Sequence, residues 1–159
     1  MHKNLSSPPQ KNKIISTKSL AFTIFISYLC TMKRITSLPE KHIFVFGSNT
    51  LGRHGKGAAK DAYTYFGAIY GQGEGLQNRS YAIPTKDGKT LKTLPLETIQ
   101  EHINNFIDFA ISRPDLTFVV TPVGTGLAGI DPKLMRAMFP KEPPQNVVLI
   151  KEPRFKYKV

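Results

Sequence analysis

Residues Ile43–Phe66 read IFVFGSNTLGRHGKGAAKDAYTYF, and this stretch decides the fold. Ile43-Phe44-Val45-Phe46 is an unbroken apolar run that ends in a turn signal, as in a strand buried on both faces. Gly47-Ser48-Asn49 breaks the run, and Thr50 to Gly57 carries glycines at 52, 55 and 57. Ala58 to Phe66 then reads as a helix stopped by Gly67. Strand, glycine loop and helix together make a phosphate-binding device. The glycines admit close approach to the backbone, and the first N–H groups of the helix have no internal partner. Lys56 adds positive charge to the loop, whereas Arg53 reads as a solvated cation and His54 as polar loop surface or a candidate acid/base.

A similar arrangement recurs downstream. Leu116 to Thr121 reads as a second central strand, Pro122–Gly129 (PVGTGLAG) as a second glycine loop, and Lys133 to Phe139 as a short helix with Asp131 as N-cap. In open α/β sheets ligands sit beyond the carboxyl ends of the strands. Two such loops offer two sets of N–H donors and two helix N-termini, which suits a pyrophosphate. Gly124-Thr125-Gly126-Leu127-Ala128-Gly129 also fits GxGxxG, with Glu152 in place to pose as a ribose-binding acid. The helix is too short for a dinucleotide fold, and no second half follows.

Between the loops, Gly67 to Gly75 reads as a flexible surface loop as readily as a ligand lid. Ser80 to Ile83 reads as a strand ended by Pro84. Pro95 opens the clearest helix, with Leu96, Ile99, Ile103, Phe106, Ile107 and Ala110 on one face, and Pro114 closes it. Asn146 to Ile150 reads as a last strand, and the tail Arg154–Val159 as an edge strand guarded by lysines. Ile35 to Leu38 is a first strand or a lead-in. Strands alternating with helices predict an α/β domain with helices on both faces of one sheet.

The 159 residues suit one such domain. The net charge of +11 is uneven: six Lys and Arg and no acid precede Glu40, and 16 Lys and Arg against 11 Asp and Glu stand from Glu40 onward. The folded part therefore favours an anionic partner. Residues 1–31 read as an N-terminal extension, disordered or outside the native protein, with the domain at 32–159. The apolar run Leu20–Cys30 is too short to span a bilayer, and its flanks fit a signal peptide poorly. The single cysteine excludes an internal disulfide, and the four scattered histidines give no metal-ligand spacing. The resulting expectation is a cytoplasmic protein with no metal, no cofactor and no membrane partner.

The ordered motifs VFGSNTLGRHGKGAAKDAYTYFG, YAIPTKD and TPVGTGLAGID resemble the macrodomain superfamily, closest to compact macro-like proteins of bacteria and their phages, over about residues 35–150. The resemblance implies a three-layer α/β/α fold with a mixed sheet. It also implies a cleft for ADP-ribose, free or linked to protein or nucleic acid. On that basis Ser48 and Asn49 would lie at the ligand, with Asn49 at the distal ribose. Gly55, Lys56 and Gly57 would line the first phosphate loop, and Gly124, Thr125, Gly126, Leu127, Ala128 and Gly129 would wrap the diphosphate. Lys86 would match the catalytic lysine of the glycohydrolase branch, acting at the anomeric carbon.

The chain departs from the family pattern twice. No acid precedes the first central strand, where Lys33-Arg34-Ile35-Thr36 stands in place of an adenine-holding Asp. Ala128 stands where one hydrolase branch carries an acid, and Asp131 substitutes for it or caps its helix. The implied activity is ADP-ribosyl glycohydrolysis. The alternatives are a non-catalytic binder of ADP-ribose or a related NAD-derived nucleotide and, on the basic termini, an RNA-binding module.

Overall fold

The computed structural model describes residues 17–31 and 34–150. The basic tail and Glu152 lie outside them. The elements in chain order are α1 (Thr17–Thr31), β1 (His42–Asn49), α2 (Gly57–Tyr65), β2 (Gly75–Gln77), β3 (Ser80–Lys86), α3 (Leu96–Ser112), β4 (Thr117–Val120), α4 (Pro132–Met138) and β5 (Val147–Leu149). The strands form one mixed sheet in the order β2-β3-β1-β4-β5. β1 is parallel to β3 on one side and to β4 on the other, β4 is parallel to β5, and only β2 runs antiparallel. Helices cover both faces, giving a three-layer α/β/α fold.

The layers follow from the strand pattern. Ile43 and Val45 join Tyr81, Ile83, Phe118 and Val120 in a core under α3 and α4, where Ile99, Ile103, Phe106, Ala110 and Met135 are buried. Phe44, Phe46, Ala82 and Val119 point the other way, toward Ala59, Ala62 and Phe66. This is the period-two alternation of a sheet buried on both sides, so β1 reads as continuous apolar sequence. The rings of Phe44 and Phe66 stack at 4.4 Å. Each such buried side chain stabilises the fold by about 1.5–3 kcal/mol. Leu29 of α1 also enters this second core at 1% exposure, beside Ile35 and Leu38, so helix and lead-in both pack on the α2 face.

The chain first crosses from β1 through α2 to β3, then returns past β1 through α3 to β4. Right-handed crossovers in opposite directions put their helices on opposite faces. The reversal makes the carboxyl ends of β1 and β4 the point where neighbouring loops part.

Three expectations are corrected here. β3 does not stop at Pro84 but runs to Lys86, since β2 pairs only as far as Ala82 and no neighbour on that side needs the missing N–H. Pro95 is the cap of α3 and not its first residue, and Leu96 is 40% exposed. The 67–75 loop is no loose surface loop. Gln77 Oε1 accepts from Ile69 N at 2.7 Å, Gln77 Nε2 donates to Gln72 O at 3.0 Å, and Gly71 N donates to Gly52 O at 2.9 Å.

Candidate functional site

The carboxyl ends of β3, β1 and β4 lie side by side, and their loops surround a cleft of 440 Å³. That is ample for a nucleotide-sized ligand. Ser48, Asn49, Gly55, Lys56, Gly57, Lys86, Gly124, Thr125, Gly126, Leu127 and Ala128 all line it. Gly129 and Asp131 do not. The structure thus gathers eleven of the thirteen residues singled out from sequence.

At the end of β1, Ser48 donates its hydroxyl to Gly73 O, and Thr85 Oγ1 donates to Ser48 O at 3.3 Å. The Asn49 amide is turned to its own loop: Nδ2 donates to Arg53 O at 2.9 Å and Oδ1 accepts from Arg53 N at 3.0 Å. Lys86 sits opposite Asn49 in register, and its carbonyl accepts from Thr50 N at 3.0 Å. The residue expected to do chemistry is therefore built into the rim of the first loop.

The two helix N-termini differ. Lys56 occupies the cap position of α2 and gives it no side-chain cap, and the first helical residues, Gly57, Ala58 and Ala59, line the cleft. At α4, Asp131 Oδ1 accepts from Lys133 N at 2.9 Å and Leu134 N at 3.1 Å. That end is satisfied internally, so the expected pair of open helix ends reduces to one. The second loop contributes backbone instead. Gly124 and Gly129 take φ of 73° and 68°, and the turn is closed by Ile130 N to Gly124 O and Gly129 N to Gly126 O, both 3.0 Å. Thr93 Oγ1 ties the loop to the rim through Ala128 O at 2.6 Å.

Gly55 and Gly126 are the informative glycines. Neither has a left-handed φ, and a Cβ built on either would meet nothing within 4 Å. The fold itself does not require glycine at these two places, yet both line the cleft. Gly47 and Gly124 are different: a Cβ on Gly47 would lie 3.2 Å from Gly124 N, and one on Gly124 would lie 2.6 Å from Met135 Cε. Gly47 thus lets β1 approach the second loop, and Gly124 makes room for Met135 of α4.

Arg53, Lys56 and Lys86 supply three cations to the cleft, against one carboxylate, Asp61. Asp61 is buried, and Oδ1 accepts from Arg34 Nε at 2.7 Å as well as from Arg34 Nη2. Beside it lie Ile35, Phe44, Ala59 and Ile150, an apolar wall borrowed from the α2-side core. Exposed Tyr70, Leu91 and Leu127, from three separate loops, complete the lining. Sequence reasoning missed Asp61, Tyr70 and Leu91, since an acid within a helix or an apolar residue within a loop carries no local signal. Among the described residues, no group of three or more His, Cys, Asp or Glu could hold a metal ion.

His54 corrects the expectation of a polar surface residue. It is 2% exposed, its ring lies edge-on to Phe46 at 5.2 Å, and Nε2 sits 3.0 Å from Ile69 O. A carbonyl only accepts, so Nε2 carries the proton. Nδ1 is buried with no partner, and burial lowers the pKa from 6.5.

No family model matches the chain, and no curated protein matches it. A solved structure of a protein of unknown function from Bacteroides thetaiotaomicron is 20% identical, over 61% of this chain and 78% of that one, with a TM-score of 0.38. Among the described residues no helix is long and apolar enough to cross a membrane.

Proposed function

We propose that the cleft binds ADP-ribose as a macro-like domain does, and that the protein releases ADP-ribose from a modified protein or nucleic acid. The observation that carries this reading is the pair Gly55 and Gly126. A ligand lying on the backbone of both loops accounts for glycine where packing and φ do not. A diphosphate suits the spot: the open N-terminus of α2 and the cations Arg53, Lys56 and Lys86 all favour anionic oxygens. The apolar wall of Ile35, Phe44 and Ile150 gives a base something to pack on.

In this reading Lys86 acts at the anomeric carbon. Cleavage of the bond to the acceptor builds positive charge on that carbon. The lysine nitrogen forms a bond to that carbon as the bond to the acceptor breaks; the acceptor leaves with the electron pair and takes up the proton the nitrogen gives up, and water then displaces the lysine to release ADP-ribose. A non-catalytic binder is the second reading, and one observation favours it. Among the described residues Asp61 is the one carboxylate lining the cleft and is already paired with Arg34, while Asp131 is spent as a helix cap. Among the described residues lining the cleft, no unpaired carboxylate is left to assist the leaving group.

The two readings part on Lys86→Ala in the full chain, assayed with ADP-ribosylated protein and ADP-ribosylated DNA. An enzyme loses turnover by about 10²-fold or more while ADP-ribose affinity holds. A wild-type protein that binds ADP-ribose and releases none from either acceptor is the binder.

A further inference from the structure

The Gly55–Gly57 end of the first glycine loop borders open space, since a Cβ on Gly55 or Gly57 would meet nothing within 4 Å. Its buried anchor is the residue just before, His54. The ring is seated edge-on against Phe46 of β1 at 5.2 Å and against Tyr70 at 6.5 Å, with Tyr63 behind Tyr70. Nε2 reaches Ile69 O at 3.0 Å. The loop on which His54 rests is itself fixed by Gln77, through Ile69 N and Gln72 O. Nδ1 is buried with no hydrogen-bond partner, although polar atoms of Gln72 and Gln77 lie near the ring.

We propose that His54 is the positioning residue of the first glycine loop. Its neutral ring, bonded to Ile69 and seated between Phe46 and Tyr70, holds Gly55, Lys56 and Gly57 in place for a diphosphate, and protonation of Nδ1 releases them. The second half of this statement rests on the ADP-ribose reading; the first half does not.

The physical reason is the orphaned nitrogen. In the neutral ring Nδ1 is an unpaired acceptor, which costs a modest desolvation penalty. In the imidazolium it becomes a charged donor with no acceptor, which costs far more. No carboxylate offsets the charge: the groups facing the ring are Phe46, Ile69 O, Gln72, Gln77 and the phenol-bearing Tyr70, with the cation Arg53 next in the chain. Burial lowers the pKa first, and the polar groups of Ile69, Gln72 and Gln77, which favour the charged ring, only partly oppose it. The closed loop is therefore the neutral-pH form, and acid opens it.

The experiment is an NMR titration of the ligand-free full chain, followed by calorimetric titration with ADP-ribose between about pH 7.5 and 4.5, on wild type and His54→Gln. Glutamine keeps a donor near the Nε2 position and does not titrate. The expected wild-type result is a His54 ring protonated on Nε2, titrating below 6.5. Amides of residues 52–57 and 69–73 shift with the same midpoint. ADP-ribose affinity then falls about tenfold per pH unit below that midpoint, and His54→Gln abolishes this slope. A His54 midpoint at or above 6.5, loop amides that ignore it, or an equal slope in His54→Gln overturns the proposal. Loop amides that track His54 in a protein that binds no ADP-ribose uphold the anchor and overturn the ligand reading alone.

Discussion

The side chain of Asn49 brackets the backbone of Arg53, donating from Nδ2 to its carbonyl at 2.9 Å and accepting from its N–H at 3.0 Å. Both polar atoms of a residue on the cleft are thus engaged in holding the turn that leads to Gly55. Asn49→Asp keeps the acceptor but sets a carboxylate oxygen against the Arg53 carbonyl, and Asn49→Ala loses both bonds. Each bond contributes about 1 kcal/mol. Both variants are expected to lose about 1–2 kcal/mol in urea denaturation and to bind ADP-ribose more weakly. A variant with wild-type stability and weakened binding would make Asn49 a ligand contact alone.

Gly52 carries the strictest demand in the first loop. Its φ is 64°, and a Cβ would fall 2.4 Å from Gln72 N and 2.7 Å from Gln72 O. Since the obstacle is backbone, no rotamer change relieves it. Gly52→Ala is expected to destabilise by about 3 kcal/mol or to separate the two loops. The second outcome appears as lost protection of Gly71 N, which donates to Gly52 O. An alanine variant with unchanged melting and unchanged exchange at Gly71 contradicts the contact.

Asp131 is a cap and is not among the residues lining the cleft. Asp131→Ala is expected to cost about 1 kcal/mol of stability. ADP-ribose affinity, and any turnover per folded molecule, stay at wild-type values. A large loss of turnover at full stability would return Asp131 to the catalytic role that its position in the sequence suggests.

Tyr81 gives the protein an alkaline limit. Burial, and then the charge of Glu74, push its phenol up to about 12 from 10.0. The folded state therefore holds the phenolic proton over a pH range in which the unfolded chain has released it. Stability is intact below pH 10 and falls by about 1.4 kcal/mol per pH unit from there toward pH 12. In Tyr81→Phe this component is absent. Thermal melts from pH 9 to 12 measure the difference, and identical alkaline profiles rule out Tyr81 as its source.

Where the sequence was legible, the signal was local and strong. Ile43 to Phe46, the α3 periodicity and the Asp131-Pro132 cap each state their structure within a few residues, and the fold class follows from their alternation. β2 was not legible: Gly75-Leu76-Gln77 has no alternation to show, and its pairing with β3 depends on the turn at Asn78, with φ of 50°. The site was legible where backbone makes it, at the two glycine loops, because glycine is itself the signal. It was illegible where distant side chains make it. The Arg34–Asp61 pair joins residues 27 apart, and the burial of His54 depends on Phe46 and Tyr70. Asn49 and Asp131 show the converse, residue types that suit chemistry being used to hold backbone.

In the proposed function a ligand lies on the bare backbone of both glycine loops. The most direct measurement is calorimetric titration of the full chain with ADP-ribose, with ATP and NAD for comparison, on wild type and Gly126→Ala. Micromolar binding, about −8 kcal/mol, is expected, with ATP much weaker. In Gly126→Ala the melting temperature holds, since the added methyl meets nothing within 4 Å, and affinity falls by at least about tenfold. Undiminished binding in that variant, or no binding by folded wild type, would contradict it.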